Sequence, residues 1–248
     1  MYLTEVSTWD MVKKLYRYKL NSYFGVFTSL VIIQILSILF SLNGTGSSGG
    51  SSDTFEYNMN IYSGTLILAF MMGWAFLVAT LITTKAYRYD DSSFVSNRTA
   101  SHFSNILFLF SASIIAGITV YFSYHLFLSV VSLFMKVRVV QADTLTPIQL
   151  AQGITASVLY IFLFTSLGYL TGMLVQVQKF FVFVLPALFI GALIIDGNLS
   201  DEPRLLISLG SFYGLETSFI VFVFKTLLTT GALYGVSILV SRRVEVRP

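Results

Sequence analysis

Residues 99–135 read TASHFSNILFLFSASIIAGITVYFSYHLFLSVVSLFM and contain no Asp, Glu, Lys or Arg. A bilayer's hydrocarbon core is roughly 30 Å thick, and a helix crosses it with about 20 apolar residues. The stretch is too long for one minimal span, yet it lacks the turn chemistry needed for two. It predicts one tilted helix, or one that projects past the bilayer.

Working outward, the same reading finds five more apolar stretches. The predicted spans are residues 22–42, 61–84, 105–133, 151–176, 180–195 and 217–240. Thr146-Pro147 is a helix start for the fourth. The fifth is short and carries Pro186. The first could be mistaken for a signal peptide, but it is longer than a usual signal core. No small-x-small cleavage site follows it, so it reads as a retained span. The expectation is an all-α membrane protein, with residues 1–248 forming a single transmembrane domain.

Composition agrees. The chain is 55% hydrophobic and 11% charged, with a mean hydropathy of +0.78. Soluble domains carry about 25% charged residues, which excludes a soluble core. The chain has no Cys, hence no disulfide framework, thiolate metal site or Cys nucleophile. The net charge of +3 could suggest nucleic acid, but the basic residues lie at predicted helix ends, where topology explains them.

Charge also predicts orientation. Eleven of the fifteen Lys and Arg fall on one side of the six spans: Lys13, Lys14, Arg17, Lys19, Lys85, Arg88, Arg98, Lys179, Arg242, Arg243 and Arg247. Lys136, Arg138 and Arg204 fall on the other, and Lys225 lies within the last span. Basic residues of short loops stay in the cytoplasm. Both termini are therefore expected there, in a multi-pass protein of the plasma membrane.

Four features bear on function. Trp9, Val12, Leu15, Tyr16 and Leu20 fall near one helical face, with Lys13, Lys14, Arg17 and Lys19 at the other positions. This predicts an amphipathic helix at the inner surface, either a topology anchor or an elbow that also touches a partner. The segment from Lys85 to Asn105 is the longest and most polar inner loop. It mixes Tyr87, Tyr89, Phe94 and Val95 with Asp90, Asp91, Arg98 and His102. It reads as a docking surface containing a short helix somewhere within residues 90–103, capped by Asp90, Asp91 or Ser92; a loop folded back on the membrane is the bland alternative. Gly168–Gly172 and Gly231–Gly235 permit close helix approach, within one subunit or between two. Lys225 either snorkels outward or pairs with Glu216 beside a cavity, which makes these two the candidate pathway residues.

Other features are plainer. His125 reads as hydrogen-bonded to a neighbouring helix. The Gly/Ser-rich outer segment around residues 44–52 has flexible-tether composition. No catalytic or Walker A motif occurs, and two His without Cys make a metal site unexpected.

The order of these pieces resembles the ABC-2-type transporter permeases. The similarity covers nearly the whole chain: the basic amphipathic Trp9–Leu20 segment, six spans, the polar loop, and a short fifth span followed by an outer segment with its own apolar run, Leu205–Leu209. Chain size and the Phe94-Val-Ser-Asn-Arg98 loop are similar to permeases of amphipathic-peptide exporters, such as those for phenol-soluble modulins. The resemblance implies an elbow helix at Trp9, Lys13, Lys14 and Arg17. It implies a coupling helix near Tyr87, Asp90, Asp91, Phe94, Val95, Arg98 and His102. It also implies a second permease subunit, as homo- or heterodimer, and a cytoplasmic ATPase that binds ATP and Mg while this chain holds no cofactor. The chain would then be a transport subunit rather than an enzyme. A secondary transporter or channel not driven by ATP is the alternative, and an intramembrane enzyme a remote one.

Overall fold

The computed structural model describes residues 7–42, 44, 46–52, 55–92, 97–134, 146–199 and 204–241. In chain order the elements are α1 (Thr8–Ser22), α2 (Phe24–Ser41), β1 (Gly46–Ser52), β2 (Phe55–Ile61), α3 (Thr65–Ile82), α4 (Lys85–Ser92), α5 (Arg98–Phe134), α6 (Pro147–Val177), α7 (Phe181–Leu199), α8 (Arg204–Gly214) and α9 (Phe219–Ser241).

Five of these, α2, α3, α5, α6 and α9, are long and apolar enough to cross a membrane. A further helix, α7, is apolar over the shorter stretch Phe181–Asp196 and contains Pro186. The residues 99–134 form one unbroken helix with Arg98, as their uncharged composition predicts. At 1.5 Å per residue, α5 is about 55 Å long, well beyond a bilayer core of roughly 30 Å. The predicted start of α6 is also found. Thr146 accepts from the Gln149 amide, and the Gln149 side chain accepts from the Thr146 amide. This reciprocal cap satisfies two donors that a helix start would otherwise leave bare.

The core lies along α3 and α6. The buried face of α3 is Ile67, Met71, Trp74, Ala75, Val78, Ala79 and Ile82, which recurs at helical spacing. It meets α6, which also packs on α9 and α5. Glycines set the approach: a Cβ at Gly168 would overlap the Phe76 carbonyl, and one at Gly172 would overlap the Thr83 hydroxyl. A Cβ at Gly117 of α5 would likewise overlap Val158 of α6. The first Gly-x-x-x-Gly pattern thus serves packing inside this chain. The second does not, because Cβ atoms at Gly231 and Gly235 would meet nothing within 4 Å among the described residues.

Large apolar side chains face outward on α2 (Ile32, Ile35, Leu39, Phe40), α7 (Phe183, Phe189, Ile194) and α9 (Ile220, Phe224, Leu228). Water would penalise such a belt, whereas lipid tails solvate it as well as a protein core does.

Three expectations change. Residues 46–52 are not a free tether. They pair antiparallel with β2, from Gly46 opposite Ile61 to Ser52 opposite Phe55, through backbone bonds that any residue can make. The short helix of the polar segment spans Lys85–Ser92, earlier than residues 90–103, because the chain re-enters helix almost directly after α3. Arg98–Phe103 instead forms the first turns of α5, while Phe94 and Val95 lie outside the described residues. The buried stripe of α1 is Val12, Leu15 and Lys19, and Trp9 is 54% exposed.

Candidate functional site

Lys19 closes the apolar stripe of α1 at i, i+3 and i+7 from Val12, so packing α1 on α5 carries its ammonium inside. Lys19 is 1% exposed and Asp91 is 5% exposed. The ammonium lies 2.9 Å from each Asp91 oxygen. It also donates to the Ser104 hydroxyl at 2.8 Å and the Asn105 carboxamide oxygen at 2.5 Å. All three ammonium protons are matched, which a buried charge requires. Asp91 accepts a further bond from the Ser101 hydroxyl. Burial pulls the Lys19 pKa below the ordinary lysine value, and the Asp91 carboxylate opposes that pull.

The network continues into the bundle. With the Asn105 oxygen turned to Lys19, its NH2 group donates to the Tyr169 hydroxyl on α6 at 3.3 Å. That leaves the Tyr169 proton for Nδ1 of His102, 2.7 Å away. These partners assign His102 the neutral tautomer with its proton on Nε2. His102 is 8% exposed and Tyr169 is 0% exposed. The Tyr169 ring packs on Tyr234 of α9, whose hydroxyl shares a 2.9 Å hydrogen bond with Thr165. A continuous polar and aromatic line therefore runs from the surface helix α1 to the last helix α9.

The eight-residue α4 is the hub. Asp91 joins it to α1 and α5. Arg88 donates to the Gln176 carbonyl oxygen at 2.9 Å, and the Gln176 NH2 donates to the Thr83 carbonyl, joining α4 to α6 and α3. The Tyr23 hydroxyl reaches Asp90 at 3.5 Å, and its ring meets Tyr87 edge-on at 4.8 Å. Tyr16 adds a 2.7 Å hydrogen bond to Ser111 and so ties α1 to α5 again. This end of the bundle also carries Lys13, Lys14, Arg17, Lys85 and Arg98, all exposed.

The predicted site residues therefore divide. Asp91 and His102 turn into the chain's own bundle, and Tyr87 and Asp90 brace α4, as does Arg88, which was not among the predicted site residues. Arg98, Lys13, Lys14 and Arg17 remain available outside. Lys225 and Glu216 do come together: the ammonium contacts the Glu216 carboxylate, donates to the Phe212 carbonyl at 2.8 Å, and sits 3.8 Å from the Phe212 ring centroid. These contacts fasten α9 to α8 and the residues after it. His125 is flanked by Tyr121 at 4.5 Å and Tyr124 at 5.6 Å. Its buried Nε2 has no hydrogen-bond partner among the described residues, contrary to the expected bond with a neighbouring helix.

Sequence reasoning missed Lys19 as a centre, and with it Ser101, Ser104, Asn105 and Tyr169. A signal existed for Lys19, which falls on the stripe of Val12 and Leu15. Among the described residues, no three metal-ligating side chains group together. The arrangement joins α1, α4, α5 and α6 through a buried ion pair and hydrogen bonds, and reaches α9 through the Tyr169–Tyr234 ring contact. No protein-family model, curated protein or solved structure matches this chain.

Proposed function

We propose that this chain is the membrane-spanning permease subunit of an ATP-driven exporter of the ABC-2 type. It works as a homo- or heterodimer, with a separate cytoplasmic ATPase supplying ATP and Mg, and its cargo is an amphipathic peptide or similar hydrophobic molecule. One observation carries the reading: α4 is a short polar helix tied by Arg88, Asp90 and Asp91 to the neighbouring helices, at the charged end of an otherwise apolar bundle. A subunit that receives force from a soluble partner needs such a joint, since apolar surfaces slide while buried charge pairs hold register. In this reading α1 is the elbow helix and α4 the coupling helix. The charged end faces the cytoplasm, and a sixth crossing is completed by α7. The partner meets the exposed residues around the joint, Arg98 among them, while Asp91 and His102 transmit.

Affinity purification from the native membrane tests this reading. An ATPase chain should co-purify, and vesicles carrying both chains should move cargo only with ATP. A carrier or channel energised without ATP is the alternative, and the buried titratable line of Lys19, Asp91, Tyr169 and His102 is the observation in its favour. Transport that persists without the ATPase and collapses with an ionophore would decide for it.

A further inference from the structure

At the charged end, beside the hub but separate from its ion pair, a cleft of about 300 Å³ opens between α2 and α3. It is lined by Tyr23, Val26, Val78 and Ile82 together with Ser22, Ser29 and Tyr87. Ser22, Gly25 and Leu81 are its exposed residues, and a Cβ at Gly25 would meet no described atom within 4 Å. The cleft has twice the volume of the roughly 150 Å³ apolar cavity that stays dry and holds benzene.

Position identifies the occupant. The cleft lies at the start of α2 and the end of α3, where apolar helix gives way to the exposed Lys85 and, along α1, to Lys14 four residues before Tyr18 and eight before Ser22. That is the depth at which acyl chains meet headgroups. A cleft at this depth is filled by the surrounding medium, and its apolar walls disfavour water. The hydroxyls of Ser22 and Tyr87 suit ester and phosphate oxygens, and Lys85 and Lys14 suit a phosphate's charge. We propose that this cleft is a binding site for one membrane phospholipid, its acyl chain between α2 and α3 and its phosphate toward Lys85.

Trp74 makes the site readable. Its indole N–H donates to Ser29 at 2.9 Å, so the ring lies one side chain behind the cleft and is itself buried. The only other tryptophan is Trp9, so Trp9→Phe leaves Trp74 as the sole fluorophore. This variant would be reconstituted in vesicles whose phospholipids carry bromine on the acyl chain. A chain held in the cleft stays in contact, so Trp74 emission should fall about twofold against unbrominated vesicles. Gly25→Phe and, independently, Ser22→Phe fill the cleft and should restore most of it, whereas Gly25→Ala should keep the quench. Equal quenching in parent and both filled variants would overturn the site. No quenching by brominated lipid, but strong quenching by an added brominated soluble amphiphile, would overturn lipid as the occupant. Unchanged emission in unbrominated vesicles checks that the filled variants are folded.

Discussion

Replacing Lys19 with Met should unfasten the charged end of the bundle. The substitution keeps the aliphatic volume but removes the ammonium that faces both oxygens of Asp91, which is 5% exposed. Breaking a buried pair from one side costs about 3–5 kcal/mol. For a chain of this size, 1 kcal/mol shifts the melting midpoint by roughly 2–4 °C, so a loss on the order of 10 °C is expected. Asp91→Asn should cost a similar amount, because it leaves the Lys19 ammonium without its counter-charge. In the double variant no buried charge remains. It leaves Ser101 and Asn105 short of a charged partner, at about 1–3 kcal/mol each. The cycle should thus give a coupling energy of about 4 kcal/mol, with the double variant melting no lower than either single.

Thermal unfolding in detergent, followed by Trp74 emission in a Trp9→Phe background, measures all four proteins. A pH series adds an independent signature. In Asp91→Asn the Lys19 pKa is lowered by burial with less to oppose it. Between that lowered value and the ordinary 10.5, the folded protein binds fewer protons than the unfolded one, so stability rises with pH. The Asp91→Asn deficit should therefore shrink as pH is raised from neutral. Single substitutions costing under 1 kcal/mol, with additive effects in the double variant, would show that the pair is solvated and the hub reasoning wrong.

Further outcomes are expected elsewhere. Gly168→Val forces α6 off the Phe76 carbonyl and should cost at least about 1–3 kcal/mol in the same melt. Gly231→Val enters open space and should stay within about 0.5 kcal/mol. Lys225→Met should leave the bundle assembled while removing the Glu216 and Phe212 contacts, and faster hydrogen exchange across residues 204–216 would record it. Cysteines placed singly at Ser48 and Ser241 should be labelled by an impermeant reagent in intact cells only at Ser48; labelling at Ser241 alone would invert the topology. Under the exporter reading, Phe94→Asp should uncouple ATP hydrolysis from cargo movement without preventing insertion, and unchanged transport would count against a docking role there.

The long helices were readable because crossing a membrane imposes a length and an apolar composition that residues 99–135 display directly. The Thr146-Pro147 start was readable because capping is local chemistry within four residues. The hub was not, because its meaning depends on which distant residues face each other. Lys19 and Asp91 look like two ordinary surface charges until α1, α4 and α5 are packed together. Lys19 on the stripe of Val12 and Leu15 was a partial signal, masked by the three other basic residues of the same helix. The Gly46–Ser52 strand was hidden for another reason. Its pairing uses backbone groups alone, and Gly and Ser carry almost no side-chain preference for a sheet.

The length of α5 has a mechanical consequence. Gly117 meets the Val158 backbone too closely for any side chain, so the two helices touch there without a compressible layer between them. Asn105 stands about 18 Å from that point along the helix axis and Val131 about 21 Å on the other side. A stiff rod bearing on such a fulcrum behaves as a see-saw with nearly equal arms. A 2 Å tug on Asn105, delivered through Lys19, would swing Val131 by roughly the same distance in the opposite direction. The two ends of α5 would then move in antiphase, without α5 itself needing to bend.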